Sequence, residues 1–294
     1  MRSLLFVPGD SPSKLEKARL SGADALILDL EDSIASERKA EARAITLAFL
    51  NEFASRADRP RLFVRVNGLH TGLTDDDLQV VAGRPDGVML PKAEGGASII
   101  HLDAKLAARE AMYGLDEAHV RILALTTETA KALFLAGTYA GASPRLTGLT
   151  WGAEDLSAEL GAETNRDHDG RFLDPYRLAR SLCLAAAAAA AVQAIDTVYV
   201  DFRNAEGLRR ETEEARRDGF TAKLAIHPAQ VAVINEVFTP TPAAIAKAQA
   251  IVAAFAAEPG AGVVGIDGVM YDRPHLARAR DLLARAQAAG VATS

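Results

Sequence analysis

Ala25-Leu26-Ile27-Leu28-Asp29-Leu30-Glu31-Asp32 is the stretch that decides the fold, because a short apolar run passes directly into acidic residues. A helical segment, 39–53, follows it, so the pattern predicts a buried strand that leads into a helix. This order repeats eight times, with predicted strands at 3–7, 25–30, 62–66, 87–90, 121–125, 146–151, 197–200 and 222–226. Eight such repeats favour an α/β fold of the closed, parallel (β/α)₈ or TIM-barrel type over an open sheet. The alanine-rich segment 175–192 predicts the helix before the seventh strand.

The composition changes after Phe238. Thr239-Pro240-Thr241-Pro242 is a stiff linker, and an alanine-rich helix follows it to about Ala257. The glycine-rich stretch 260–268 then precedes a last helix that begins near Pro274. We therefore predict a catalytic barrel domain of residues 1–238 and a C-terminal helical extension of residues 239–294. With its mobile glycine-rich middle, this extension is a candidate lid or interface segment.

The composition narrows the class of partner. The 294 residues carry 33 basic and 39 acidic side chains, a net charge of −6, which disfavours nucleic-acid binding. A single cysteine, Cys183, cannot form an internal disulfide and is compatible with a reducing compartment. The longest uncharged apolar run, 182–195, is shorter than the roughly 20 residues that span a bilayer. We therefore expect a soluble, cytoplasmic protein without a membrane partner.

Acidic residues gather where the predicted strands end. The carboxyl ends of the strands meet at one rim of a barrel, which is where active sites lie. Many carboxylates repel one another unless a cation lies among them. Without a Cys/His cluster, hard oxygen ligands favour Mg²⁺, or Mn²⁺, over zinc or copper. For each single acid a solvated loop or a helix cap is the simpler alternative, and for Asp32 helix capping is a strong one. The acids are Asp29, Glu31, Asp32, Glu128, Glu154 and Asp155.

Three basic residues follow other strands. Arg65 can grip a carboxylate or thioester oxygen with its fork of donors, or it can form a structural ion pair with the same acids. Lys92 is either the Schiff-base lysine of a metal-free aldolase or the partner of an ion pair at the rim. His227 is either catalytic or a packed, hydrogen-bonded residue. Trp151 and Cys183 are predicted core residues, and we find no Ser/His/Asp arrangement, P-loop or GxGxxG motif.

Nine short motifs, in order along essentially the whole chain, resemble the citrate lyase β-subunit (CitE-like) family. This family belongs to the larger group of HpcH/HpaI aldolases and malyl-CoA lyases. Each motif is weak alone, and the series is specific. The motifs are Arg2-Ser3-Leu4-Leu5-Phe6-Val7-Pro8-Gly9, Asp29-Leu30-Glu31-Asp32-Ser33 with Lys39 and Arg43, Arg65-Val66-Asn67-Gly68, Leu90-Pro91-Lys92-Ala93-Glu94, Glu128-Thr129-Ala130, Trp151-Gly152-Ala153-Glu154-Asp155-Leu156, Lys223 with Ile226-His227-Pro228-Ala229-Gln230, Ile234-Asn235 with Phe238, and Gly268-Val269-Met270-Tyr271-Asp272-Arg273-Pro274.

The resemblance implies a (β/α)₈ barrel with a C-terminal helical extension, often trimeric, that binds Mg²⁺ through Glu128 and Asp155. Arg65 then contacts the substrate beside Glu128, and Asp272 reaches into a neighbouring subunit's site as general acid. The alternative for Asp272 is that it caps the final helix. We expect three further acids to order the metal waters and three residues after the first strand to contact a coenzyme A tail. These are Asp29, Glu31 and Asp32, and Pro8, Gly9 and Lys14.

The expected function is that of a Mg²⁺-dependent carbon–carbon lyase in a homo-oligomer, most simply a homotrimer. Its substrate would be a 3-hydroxy-3-carboxyacyl thioester of the citryl-, malyl- or citramalyl-CoA type, cleaved to a 2-oxo acid and an acyl-CoA. Three alternatives remain open: an HpcH-type class II aldolase acting on free 2-oxo acids, a Schiff-base aldolase that uses Lys92, and a non-catalytic barrel subunit of a lyase complex. Thr126-Thr127 and Tyr271 depart from the family pattern and leave the acyl specificity open.

Overall fold

Eight parallel strands close into a barrel in chain order, which confirms the predicted (β/α)₈ fold. In the computed structural model, which describes residues 1–292, each strand pairs with the next and β1 pairs with β8. The strands are β1 Ser3–Pro8, β2 Ala25–Asp29, β3 Arg61–Arg65, β4 Gly87–Leu90, β5 Arg121–Leu125, β6 Leu146–Thr150, β7 Gln193–Asp196 and β8 Ala222–Ala225.

Eleven α-helices are found within residues 1–292. None of these helices is both long and apolar enough to cross a membrane. They are α1 Pro12–Arg19, α2 Lys39–Phe53, α3 Thr74–Asp77, α4 Gly96–Tyr113, α5 Ala130–Leu135, α6 Glu154–Glu159, α7 Asp174–Ala189, α8 Ala205–Asp218, α9 Pro228–Phe238, α10 Pro242–Ala257 and α11 Arg273–Ala288.

Strand β2 shows why the apolar runs form strands and how the strands position the residues at the rim of the barrel. All five of its residues are buried, as expected for a parallel strand that is covered on both faces. Its pairing with β3 runs from Ala25 opposite Arg61 to Asp29 opposite Arg65. The register therefore brings one acid and one cation side by side at the carboxyl ends of two neighbouring strands.

The seventh strand was predicted wrongly. It is Gln193–Asp196, and not 197–200, because α7 ends at Ala189 and the chain turns at Ala191, whose φ is 53°. Ile195 pairs with Thr150 of β6 and with Ala222 of β8, so these residues close the barrel. The β-branched residues after Asp196 have the higher strand propensity, but pairing with both neighbours decides which segment forms the strand.

Contacts divide the chain into two compact units. One comprises Arg2–Asn235, and the other begins at Glu236 and includes Met1. In the second unit, α10 and α11 pack around Phe255 and Tyr271. Its glycine-rich stretch was expected to be a mobile middle and instead forms a hairpin of β9 (Val263–Ile266) and β10 (Val269–Asp272). Asp267 and Gly268 have φ values of 49° and 78°, which two-residue hairpin turns require. The domain boundary after Phe238 stays a prediction.

Candidate active site

Two cavities lie where the strands of the barrel end. The first, about 360 Å³, has an apolar wall that includes Phe6 and Trp151 and a polar wall that includes Arg65 and Asp32. The second, about 610 Å³, is more polar and is lined by His70, Lys92, Glu94, Ser98 and Thr129, among others. Glu128 and Asp155 line both cavities. The structure therefore brings together the two acids that the sequence proposed as metal ligands, at the place where both cavities meet.

Glu128 follows β5 and is almost fully buried, with 3% of its surface exposed. Its Oε2 accepts the backbone N–H of Lys92 at 2.5 Å, and Lys92 has a left-handed backbone with φ of 51°. Burial and then the charge of Asp155 raise the pKa of Glu128 to about 8. A Cβ at Gly152 would lie 3.1 Å from the Glu128 Cγ. A glycine at this position therefore permits the loop after β6 to approach the loop after β5 closely.

Asp155 lies in the first turn of α6. A helix N-terminus stabilises a negative charge there, which suits a carboxylate that is a third exposed. Its Oδ1 is 3.2 Å from the Lys92 Nζ. The Lys92 ammonium also donates to Glu31 Oε1 at 2.7 Å.

Lys92 therefore forms ion pairs at the rim, which was the alternative to its role as a Schiff-base lysine. The neighbouring carboxylates, foremost Glu31, outweigh burial and raise its pKa. A Schiff base requires the neutral amine, so this environment opposes that chemistry.

Arg65 makes a two-pronged ion pair with Asp29. Its Nε donates to Asp29 Oδ1 and its Nη2 to Asp29 Oδ2, both at 2.7 Å, while Nη1 lies 2.8 Å from Glu31 Oε2. Its guanidinium also lies 4.8 Å from the centre of the Phe6 ring. Arg65 therefore forms the structural ion pair and also lines the first cavity. The buried acids fix the position of its guanidinium.

The three acids after β2 occupy different environments. Asp29 is buried and accepts from Arg65 and from the backbone N–H groups of Glu31 and Ser33, so it orients Arg65. Burial opposes its ionisation, but these hydrogen bonds hold its pKa below the usual range. Burial raises the pKa of Glu31. Asp32 is more than half exposed and caps no described helix, because Ala35 and Arg38 hold the next N-cap positions. That these acids order metal waters stays a prediction.

The proposed coenzyme A contacts are placed unevenly. Pro8 lines the first cavity and Lys14 is exposed on α1. Gly9 is buried, and a Cβ there would lie 2.5 Å from Thr46 Oγ1 and 2.8 Å from the Asp29 carbonyl. A glycine is therefore needed at this position to let β1 and α2 approach. Contact of these residues with coenzyme A stays a prediction.

His227 has the packed environment that was its alternative. Its Nδ1 accepts the backbone N–H of Ala229 at 3.2 Å, and its ring stacks on Phe202 with centroids 4.8 Å apart.

Trp151 and Cys183 are buried, as predicted. Trp151 donates from Nε1 to Asp196 Oδ1 at 2.8 Å, and Asp196 ends β7. Asp196 is not among the predicted rim residues, because the predicted seventh strand begins four residues after the observed one.

Asp272 belongs to the second unit and is the N-cap of α11. Its side chain accepts the backbone N–H of His275 at 3.3 Å, and the His275 ring completes a capping box. The hydrogen bond with the His275 ring lowers the pKa of this exposed carboxylate. The helix-capping alternative is therefore present in the structure, and the general-acid role stays a prediction.

The donor set fits a hard divalent ion. Within residues 1–292, no three His, Cys, Asp or Glu side chains are grouped as metal ligands, which disfavours zinc. Mg²⁺ commonly takes one or two carboxylates and completes its shell with water and substrate oxygens. Burial, and after it the charge of Asp155, opposes a negative charge on Glu128, so the two carboxylates repel each other. A divalent cation between Glu128 and Asp155 would relieve this repulsion.

The chain is similar to a known family of proteins and to individual members of it. Residues 2–228 match the model of the family described as HpcH/HpaI aldolase/citrate lyase. The chain is 40% identical to a (3S)-malyl-CoA thioesterase of Cereibacter sphaeroides, over 98% of this chain and 95% of that one. It is 38% identical to a citrate lyase subunit beta-like protein of Mycobacterium tuberculosis, over 99% and 96% of the two chains.

A solved structure shows the same likeness. The CitE protein of Mycobacterium tuberculosis, crystallised with magnesium, acetoacetate and coenzyme A, is 35% identical with a TM-score of 0.76. The match covers 97% of this chain and 98% of that one. The chain belongs to the HpcH/HpaI aldolase/citrate lyase family, a family of enzymes that includes aldolases and lyases.

Proposed function

We propose that this protein is a Mg²⁺-dependent carbon–carbon lyase that acts on a 3-hydroxy-3-carboxyacyl-CoA. The observation that carries the proposal is that Glu128, Asp155 and Arg65 line one cavity at the carboxyl ends of the strands. Two carboxylates suit the metal, and the guanidinium beside them suits the oxygens of an anionic substrate. The magnesium and coenzyme A in the related CitE structure support this assignment.

Cleavage breaks the bond between the hydroxyl-bearing carbon and the thioester α-carbon. The hydroxyl proton passes to water, the hydroxyl-bearing carbon becomes the carbonyl carbon of the 2-oxo acid, and the electron pair of the broken bond passes to the α-carbon as a thioester enolate. Arg65 binds the carboxylate of the 2-oxo acid fragment, and its charge also stabilises the enolate, because Asp29 and Glu31 fix its orientation before the charge develops. The enolate carbon then takes up one proton, which completes the acyl-CoA.

Glu128 and Asp155 would hold Mg²⁺, which when bound supplies Lewis-acid polarisation of the substrate oxygens. The backbone N–H of Lys92 occupies one Glu128 oxygen and so fixes the direction of that carboxylate. The Lys92 ammonium keeps Glu31 and Asp155 together despite their like charges. The chain thereby holds two carboxylates ready for a cation.

We further propose that the enzyme is a homotrimer in which Asp272 supplies the final proton to a neighbouring subunit's site. Asp272 ends β10 and is half exposed, so it is accessible to a neighbour. Its pKa is low when it caps α11, and a general acid must release this hydrogen bond to the His275 ring before it carries a proton.

Mixed oligomers test this arrangement. Asp272→Ala and Glu128→Gln homo-oligomers should each be nearly inactive. After verified subunit exchange, the mixture should recover a fraction of wild-type activity through sites in which both residues are intact. Full activity of Asp272→Ala removes the acid role, and failure of exchanged oligomers to recover activity assigns Asp272 to its own subunit's site.

Thioester hydrolysis is the second candidate, because the 40% identical relative carries the name (3S)-malyl-CoA thioesterase. The two reactions leave different products from (3S)-malyl-CoA. Cleavage yields glyoxylate and acetyl-CoA without a free thiol, whereas hydrolysis yields malate and free coenzyme A. Parallel assays with a thiol reagent and with phenylhydrazine distinguish them in one sample.

We expect glyoxylate to form first, with thiol release slower or absent. Thiol release without glyoxylate would replace the lyase assignment with the thioesterase one. The reverse reaction, with Mg²⁺, acetyl- or propionyl-CoA, and pyruvate, glyoxylate or oxaloacetate, then identifies the fragments. Activity on free 2-oxo acids alone would support the aldolase alternative.

Arg65→Lys should lower kcat/KM by about 10²-fold, as loss of one oxyanion donor does. Lysine keeps the charge but cannot reproduce the planar fork that binds both Asp29 oxygens. Circular dichroism should show a folded barrel, because one cation still faces Asp29. A near-wild-type rate in steady-state assays would leave Arg65 with a structural role only.

A further inference from the structure

A buried polar network lies behind the rim, between α2 and the ends of β2 and β3, and the proposed mechanism does not use it. Lys39 is the first residue of α2, and its Nζ donates to the carbonyl oxygens of Leu30 and Glu31, both at 2.7 Å. The third acceptor is Asn67 Oδ1, at 2.9 Å. All three ammonium protons thus have acceptors, and none of these acceptors is a carboxylate.

Asn67 extends the network to a fully buried acid. Its backbone N–H and its Nδ2 both donate to Asp77 Oδ2 at 2.6 Å, and Nδ2 also lies 3.0 Å from the Leu30 carbonyl. Arg43 donates from Nε to Asp77 Oδ1 at 2.7 Å. Lys39 and Arg43 are four residues apart on α2, so one helix face delivers both cations to this network.

The network holds the backbone that carries the substrate-facing groups. The N–H of Leu30 donates to the Arg65 carbonyl at 2.9 Å, while the carbonyl of Leu30 is held by Lys39 and Asn67. Glu31, whose carbonyl Lys39 also holds, contacts the Arg65 guanidinium with its side chain. Arg65 is therefore fixed through the main chain on one side and through Glu31 on the other.

Lys39 and Asn67 do not line either of the two cavities in the described part of the chain. A lysine at an exposed helix start would leave its ammonium in water, whereas Lys39 is half-buried and its ammonium is paired entirely within the chain. Here the ammonium joins the two loops that follow β2 and β3. Binding and catalytic side chains are effective only when neighbouring residues hold them within about 0.5 Å of the productive geometry.

We propose that Lys39 is a positioning residue that aligns Arg65, through the main chain and through Glu31, to receive the carboxylate of the 2-oxo acid fragment. This inference rests on the proposed function, because it assumes that Arg65 binds that fragment. Lys39 acts through the carbonyls of Leu30 and Glu31 and does not itself touch substrate. Its loss should weaken binding of the 2-oxo acid and leave the metal ligands in place.

The chain provides a readout that does not depend on turnover. Trp151 is its single tryptophan and lines the same cavity as Arg65, so its fluorescence reports ligand binding there. Pyruvate and glyoxylate serve as probes in saturating Mg²⁺. We expect Lys39→Met to weaken their binding about tenfold, the effect of one displaced hydrogen bond to a charged group. The Mg²⁺ affinity by calorimetry should stay within twofold of wild type.

Lys17→Met is the matched control. Lys17 is exposed on α1, and its substitution removes one positive charge, as Lys39→Met does. It should bind both probes as wild type does. Rescue is tested with Lys39→Cys, treated with 2-bromoethylamine to rebuild a side chain of lysine length with an ammonium. Cys183 is fully buried and is the only native cysteine, so alkylation selects the introduced thiol. We expect alkylation to restore most of the lost affinity.

The outcomes separate the two proposals. Wild-type affinity in Lys39→Met, or a parallel loss of Mg²⁺ affinity, would overturn the positioning role and leave the proposed function intact. Weak binding that alkylation does not restore would also overturn it, because the ammonium would then not be the cause. A wild-type protein that binds neither 2-oxo acid contradicts the proposed function itself.

Discussion

Glu128→Gln should abolish Mg²⁺ binding and reduce turnover by at least about 10³-fold, since a bound metal supplies several kcal/mol of transition-state stabilisation. The amide is nearly isosteric with the carboxylate and can still accept the Lys92 N–H, so the loop should keep its position. The fold should be as stable as wild type or slightly more stable. Glu128 is buried and faces Asp155, and the substitution removes their repulsion.

Isothermal calorimetry with Mg²⁺ and thermal unfolding check both parts of this expectation. Asp155→Asn should behave in the same way. Glu94→Gln is the matched control, because Glu94 lines only the second cavity and pairs with the exposed Lys131. Chelation of wild type should abolish activity, and Mg²⁺ or Mn²⁺ should restore it. Unchanged Mg²⁺ affinity in both Glu128→Gln and Asp155→Asn would show that the metal, if bound, lies elsewhere.

Lys223→Met should lower the free energy of unfolding by about 3–5 kcal/mol, the usual cost of leaving a buried charge without its partner. Lys223 is fully buried in β8, with its Nζ 2.6 Å from Asp196 Oδ2 and 3.0 Å from Glu211 Oε1. Methionine fills a similar volume but supplies no charge. Asp196 would keep only Trp151 and the more distant Arg180, 3.5 Å away.

Urea unfolding measures this loss, and two further variants assign it. Lys131→Met, at a surface ion pair, should cost less than about 1 kcal/mol. The double variant Asp196→Asn with Lys223→Met should be less destabilised than the sum of the single variants, because the two residues interact directly. A loss below 1 kcal/mol in Lys223→Met would show that water or Arg180 replaces the missing cation.

The loss in Lys223→Met should also depend on pH. Burial alone would raise the pKa of Asp196, but Lys223 and Arg180 lower it overall, so its contribution is present above about pH 3.8 and fades as the pH falls through the lowered value. Burial alone would lower the pKa of Lys223, but its two acidic partners raise it. Its contribution is therefore complete below about pH 10.5 and fades as the pH rises through the raised value. The difference from wild type should be largest near neutral pH.

Local sequence patterns were sufficient for most of the barrel. The strand β2 and the helix α2 have the predicted ranges to within one residue, because buried apolar runs and helical periodicity are properties of contiguous residues. The helix α8 also begins after Asn204, which accepts the Gly207 N–H, and ends before Gly219 in a left-handed conformation. Such caps involve neighbours in the chain and can therefore be read from the sequence.

Local sequence patterns were not sufficient where pairing with residues distant in the chain decides which segment forms a strand. Thr197–Val200 has the composition of a strand, yet Gln193–Asp196 closes the barrel because it pairs with both β6 and β8. The hairpin at Asp267-Gly268 carried a recognisable turn signal, but its glycines were interpreted as mobility. The N-cap position of Asp272 was foreseen as an alternative, since it depends only on His275 three residues ahead.

For the site, the sequence by itself determined which residue types end each strand, and the barrel then brought Glu128, Asp155 and Arg65 to one cavity. Only the tertiary structure decided their partners. The hydrogen bonds of Arg65 to Asp29, of Lys92 to Glu31 beside Asp155, and of Lys39 to Asn67 each join residues from different β/α repeats of the barrel. The energy of these contacts depends on distance and burial, and both are fixed only when the barrel closes.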